Sequence, residues 1–77
     1  MENWEEKDYA LQKTFKFNTF TDAINWMYKA SAIIDEFNHH PEWTNIYNKV
    51  HVTLRTHDAG NIITEKDYQL AKLLDEV

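Results

Sequence analysis

Between Leu11 and Phe17 the apolar side chains Leu11, Phe15 and Phe17 fall on odd positions and the polar ones on Gln12, Thr14 and Lys16, with Lys13 interrupting the apolar row. That period of two belongs to a strand with one buried face. The charged stretch from Trp4 to Asp8 offers Lys7-Asp8 as the turn of a hairpin whose second arm starts near Tyr9. The period then changes. Phe20, Ala23, Ile24, Met27, Ala30, Ser31, Ile34 and Phe37 recur at spacings of three and four, the stripe of an amphipathic helix, with Trp26 and Ile33 on one flank and Lys29, Asp35 and Glu36 off it. Thr19, with Asp22 three positions on, reads as the N-cap. Asn38-His39-His40-Pro41 ends the helix, because the proline ring restricts the preceding residue to extended conformations and supplies no N–H.

Trp43 to Tyr47 is rich in strand formers, and Asn48-Lys49 is the expected tight turn. Val50, Val52 and Leu54 then alternate with His51, Thr53 and Arg55, which sets His51 on the sheet face opposite the apolar row. Asp58-Ala59-Gly60-Asn61 is a turn, with the chain's single glycine where a positive φ costs little. Thr64 and Asp67 repeat the capping arrangement, and Tyr68, Leu70, Ala71, Leu73, Leu74 and Val77 give a second amphipathic helix reaching the C-terminus. The order ββαββα predicts one α+β domain over residues 1–77, an antiparallel four-stranded sheet with two helices packed on one face. The other face, or a strand edge, is left for contact with another copy.

Composition narrows the function. Three Trp, four Tyr and four Phe in 77 residues are more aromatic bulk than so small a core hides easily, which points to a homodimer or homotetramer. A formal charge of -5 with no Lys/Arg cluster argues against direct binding of nucleic acid or an anionic membrane. The absence of cysteine excludes disulfides and thiolate chemistry. No apolar run spans a bilayer and no basic-plus-apolar leader precedes the domain, so a soluble cytoplasmic protein is the expectation.

The candidate chemistry lies with histidine. His39 and His40 leave a helix, His57 closes a strand, and a strand folded back beside that helix exit would bring three imidazoles to one cleft. Imidazole titrates near physiological pH, so one ring can give a proton while another takes one. That pairing suits dehydration of a carbinolamine and needs neither metal nor redox cofactor. Other readings remain open: ordinary exposed or hydrogen-bonded histidines, or a three-histidine zinc site with a free fourth position. A nucleophilic triad lacks its cysteine, and no serine has the expected turn around it.

With Asp35, His39-His40-Pro41-Glu42-Trp43, Tyr47, Val50 to Leu54, Thr56-His57, Gly60 and Asp67 in this order, the chain resembles the pterin-4a-carbinolamine dehydratases, known in animals also as dimerisation cofactors of a hepatocyte transcription factor. The likeness runs from Trp4 and Phe15-Lys16-Phe17 through the last helix. It implies an enzyme of tetrahydropterin recycling that converts 4a-hydroxytetrahydropterin to quinonoid dihydropterin. It further implies His39, His40 and His57 as catalytic residues, no metal or cofactor, and dimers or tetramers built by extending and packing sheets. Substrate contacts are then expected at Asn38, Trp43, Arg55, Thr56, Asp58 and Asp67, with Asp58 or Asp67 fixing an imidazole tautomer or meeting the guanidine-like pterin edge. His39 is the expected acid, His57 the base, and His40 the residue that orients the pterin, with acid and base exchangeable. The alternative is a non-catalytic oligomer that binds a partner, as the animal relatives do. Three departures stand out: Asn38 replaces a residue often acidic in the family, the turn bearing Asn61 is one residue longer than in animal proteins, and the N-terminal helical segment of many relatives has no counterpart before Trp4. Surface that segment would cover is expected to be bare or covered by another subunit.

Overall fold

The computed structural model describes residues 3–77 and holds two hairpins and two helices. In the first hairpin, β1 (Glu5–Lys7) pairs with β2 (Ala10–Lys16). Its turn is Asp8-Tyr9, with φ of 52° and 62°, one residue later than Lys7-Asp8. Two successive positive φ angles make a type I′ turn, whose twist matches that of the strands it joins. The shift follows from pairing, since Lys7 sits opposite Ala10 and both therefore belong to the ladder.

The second hairpin joins β3 (Glu42–Ile46) to β4 (Lys49–Leu54) through Tyr47-Asn48, one residue earlier than Asn48-Lys49. Asn48 is held outside the ladder by other bonds. Its Nδ2 donates to the Phe17 carbonyl at 2.8 Å, and its own carbonyl accepts from Phe17 N–H at 2.8 Å. Asn45 closes the turn from within, its Nδ2 donating to the carbonyls of Tyr47 and Lys49 at 3.1 and 2.9 Å.

The four strands form one antiparallel sheet in the order β1-β2-β4-β3. Leu11, Val50, Val52 and Leu54 are buried beneath the helices, while His51 lies on the outer face as the alternation predicts. There its Nε2–H donates to Gln12 Oε1 at 3.2 Å, which leaves Nδ1 to accept from the Thr14 hydroxyl at 2.8 Å. Lys13, the interruption in the apolar row, stays on the helix side. Its ammonium meets Asp75 at 2.6 Å and lies 4.6 Å from the Phe15 ring centroid, so its stem packs while its charge is paired.

Helix α1 (Phe20–Phe37) starts where Thr19 Oγ1 accepts from Asp22 N–H at 3.0 Å. Its buried residues are Ala23, Trp26, Ala30 and Ile34. Trp26, on the flank of the sequence stripe, is its centre, whereas Phe20 and Ile24 are 49% and 40% exposed. The cause is an aromatic cluster that turns the helix, with Trp26 4.4 Å from Phe15, 5.7 Å from Phe17 and 6.2 Å from Trp43 between centroids. Alanines at 23 and 30 let the backbone approach the sheet closely. Helix α2 (Glu65–Asp75) buries Asp67, Leu70, Ala71 and Leu74 against α1 and β2 and stops short of Val77. Both helices cover one sheet face, the expected α+β arrangement, and among the described residues no helix is long and apolar enough to cross a membrane.

Two measurements follow. Thr19→Ala is expected to cost about 1 kcal/mol in urea unfolding, since it orphans a first-turn N–H. The Tyr68 hydroxyl donates to the Glu6 carboxylate, and this bond first, then burial, raises its pKa above the ordinary tyrosine value. Proton binding by the folded chain is therefore favoured, and the stability this contributes is present below pH ~10 and lost as pH rises through the raised value. Glu6→Gln should shift one tyrosinate absorbance step downward; an unchanged titration would sink the assignment.

Candidate active site

Helix α1 ends at Asn38, whose φ of 57° is left-handed and whose N–H donates to the carbonyls of Ile34 and Asp35. Asparagine tolerates that conformation better than most side chains. The chain then leaves the helix axis, and Pro41 prevents its resumption, so His39 and His40 diverge. His39 turns inward, with only 12% of its side chain exposed, and its Nε2–H donates to Asp67 Oδ1 at 2.6 Å. Phe37 meets its ring edge-on with centroids 6.4 Å apart. His40 turns outward, 59% exposed, with Nε2 at 3.0 Å from Asp35 Oδ1.

Asp67 is fully buried in the first turn of α2. A buried carboxylate is costly unless its oxygens are hydrogen-bonded. Here Oδ1 accepts from His39 Nε2–H, and Oδ2 accepts from Thr64 N–H at 2.8 Å and from the Thr56 hydroxyl at 2.9 Å. With the Thr56 proton so committed, the Thr64 hydroxyl donates to Thr56 Oγ1 at 2.6 Å. One carboxylate thus caps α2, anchors the end of the β4 segment and leaves His39 with a proton on Nε2.

His57 opens a short 3-10 turn, His57–Ala59, closed by Gly60 at φ 90° and Asn61 at φ 60°. Thr56 N–H donates to the Ile62 carbonyl at 2.8 Å, pinching the loop at its base. The Asn61 amide oxygen accepts from His57 Nδ1–H at 2.6 Å. In the neutral ring this leaves Nε2 as the unprotonated nitrogen, 3.9 Å from Glu42 Oε1.

These elements enclose an open cleft of about 300 Å³ bordered by Asn38, His39, His40, Thr56, His57, Asp58 and Lys66. The three histidines come together, with Asn38, Thr56 and Asp58 beside them and Asp67 supporting His39 from beneath. Trp43 and Arg55 do not border it. Trp43 is drawn to Trp26 and, with Ile34, Asp35, His40 and Pro41, lines a separate hollow of about 140 Å³. Arg55, on the strand parity opposite buried Leu54 and Thr56, leans toward Glu42 at 4.0 Å without a hydrogen bond to its Nε. Sequence reasoning missed Lys66, Asn61 and Glu42. For Lys66 the available signal was its place beside Asp67 in the first turn of a capped helix, and for Glu42 its place in the His-His-Pro-Glu-Trp run. Among the described residues no three His, Cys, Asp or Glu side chains converge as a metal site requires.

Chemically the cleft offers two imidazoles held through different ring nitrogens, His39 by Nε2 and His57 by Nδ1, and a ring of polar neighbours, at the small end of ligand-pocket sizes. That suits one flat polar heterocycle. The family model described as pterin 4 alpha carbinolamine dehydratase matches residues 1–77. Relatives carrying the name "Putative pterin-4-alpha-carbinolamine dehydratase" include one from Prochlorococcus marinus, 49% identical over 96% of this chain and 76% of its own. Another, from Sulfurisphaera tokodaii, is 47% identical over all of this chain and 82% of its own. The crystal structure of a transcriptional coactivator/pterin dehydratase from Brucella melitensis superposes with TM-score 0.92 at 37% identity, covering 99% of this chain and 82% of that one. A pterin dehydratase-like protein identified as a RuBisCO assembly factor in the alpha-carboxysome shares the fold, at TM-score 0.75 and 22% identity over 95% of this chain and 83% of its own. A four-stranded sheet under two helices, three histidines at one cleft and a match over the full sequence agree: this chain belongs to the pterin 4 alpha carbinolamine dehydratase family.

Proposed function

We propose that the protein dehydrates 4a-hydroxytetrahydropterin to quinonoid dihydropterin and water, as a step in tetrahydropterin recycling. The observation that carries this reading is the meeting of His39, His40 and His57 at one cleft with two of them in fixed and different hydrogen-bond states. The reaction breaks the C4a–O bond of the carbinolamine, passes the N5 proton to a base, gives a proton to the departing hydroxyl, and leaves a C4a=N5 double bond. His57 is the base, because Nδ1 is committed to Asn61 and Nε2 keeps its lone pair. His39 is the acid. Its Nε2–H donates to Asp67, which fixes the ring, and the proton it delivers to the departing hydroxyl is the one that Nδ1 carries in the imidazolium form.

His40, held by Asp35, orients the pterin, and Asn38, Thr56, Asp58 and Lys66 give its polar edge partners. Asp67 acts as a positioning residue through His39. Trp43 and Arg55, outside the cleft rim, serve the aromatic core and the outer face near Glu42. The protein works as a cytoplasmic homo-oligomer.

Freshly generated carbinolamine should decay more slowly with His39→Ala or His57→Ala, each by roughly a hundredfold to ten-thousandfold at unchanged circular dichroism. Wild-type rates from both variants would end the proposal. Asp67→Asn, which cannot accept on both atoms, should cost roughly 1–3 kcal/mol of stability and also move the His39 ring nitrogen resonances toward a mixed tautomer. A stability loss with unaltered His39 resonances would reduce Asp67 to a helix cap.

A further inference from the structure

The cleft continues past its polar rim. Thr56, Asp58 and Lys66 also border an adjoining open groove of about 410 Å³, completed by Ala59, Thr64 and Glu65. Neither His39 nor His40 reaches it, so it lies on the side of the cleft away from the exit of α1. The Thr56 and Thr64 hydroxyls are turned to each other and to Asp67, so the groove floor offers mostly carbon. Its rim is charged, with Asp58 and Lys66 at the junction and Glu65 on the groove alone. All three are exposed, and among the described residues no ion pair engages any of them.

The chemistry assigned to the cleft decides which part of the substrate enters. His39 serves the oxygen on C4a and His57 the proton on N5, and C6 is the next ring atom after N5. With the pyrimidine half over Asn38 and His40, the C6 substituent leaves past His57, between Asp58 and Lys66, into the groove. A methyl group is too short to use it. A purely apolar chain would cover the floor and strip water from three charges. A chain ending in carboxylate would set its charge against Asp58 and Glu65 with one ammonium to answer them, on a protein already at -5. A short neutral chain bearing hydroxyls lays its carbons on the floor, donates to the carboxylates and accepts from Lys66. We propose that this groove reads the C6 substituent of the pterin, admitting neutral hydroxylated chains and turning away anionic ones, with Glu65 as the residue that decides. The proposal rests on the dehydratase reading for the direction in which C6 points.

The test titrates three stable oxidised pterins, 6-methylpterin, 6-(dihydroxypropyl)pterin and pteroylglutamate, into the ¹⁵N-labelled full chain, and measures carbinolamine turnover separately. All three should shift the amides of His39 and His57, and the dihydroxypropyl compound should also shift those of Ala59 and Glu65. It should bind at least roughly threefold more tightly than pteroylglutamate at low salt, and the gap should close as salt is added. Glu65→Gln should narrow that ratio and Glu65→Lys should reverse it, each read against the methyl compound in the same protein. Silent groove amides beside responding cleft amides, or a ratio that neither variant alters, would overturn the proposal, even with full carbinolamine turnover. Cleft and groove shifts with the expected ratios but no turnover would uphold the groove's selectivity and remove the dehydratase reading instead.

Discussion

One buried carboxylate joins the fold to the candidate site. Asp67 accepts from the N-cap of its own helix, from a threonine at the end of the β4 segment and from the imidazole at the exit of α1. These donors come from parts of the chain that the sheet and helices bring together only in the finished structure. The desolvation cost of such a group is several kcal/mol, and hydrogen bonds to a charge recover about 1.5–3 kcal/mol each, so the net contribution to stability is modest. What the arrangement supplies is geometry. An aspartate with fewer partners would be free to rotate, and His39 with it.

The elements were legible because period and packing agree over most of the chain. The places where they part are instructive. Both hairpin turns are displaced by one residue from their expected positions, since the pairs Lys7 with Ala10 and Ile46 with Lys49 take into the ladder residues that local turn preference would leave out. Helix α1 was expected from its cap and its spacing, yet the face it buries is turned toward Trp26, leaving Phe20 and Ile24 partly in solvent. A spacing rule weighs every apolar residue alike. The sheet does not, because Phe15, Phe17 and Trp43 offer one large ring several aromatic neighbours.

The site was legible as far as it is local. A proline after two histidines announces a helix exit, and an alternating strand announces where His57 emerges. Of the two acidic candidates for holding an imidazole, Asp67 does so because the first helical turn aims its carboxylate inward, while Asp58 sits on the exposed loop. Trp43 and Arg55 lie near the motif in sequence but are carried away by the aromatic core and by strand parity. Lys66 reaches the rim only through the bonds that fasten Thr56 to Thr64 and draw the start of α2 against the loop. No spacing rule encodes that approach.

The two walls of the cleft are built to different standards, and this bears on the division of labour between the rings. His39 is gripped from behind by a buried acceptor, so its orientation is set by the core. His57 rides an exposed turn, and its partner Asn61 occupies a left-handed position next to Gly60. The turn carries its own hydrogen-bond acceptor for the ring it presents. A base that must receive a proton and then release it to water gains from such exposure, whereas an acid that must meet one oxygen gains from being fixed. The difference in exposure therefore favours the proposed assignment, with proton release at the exposed wall and proton delivery at the buried one.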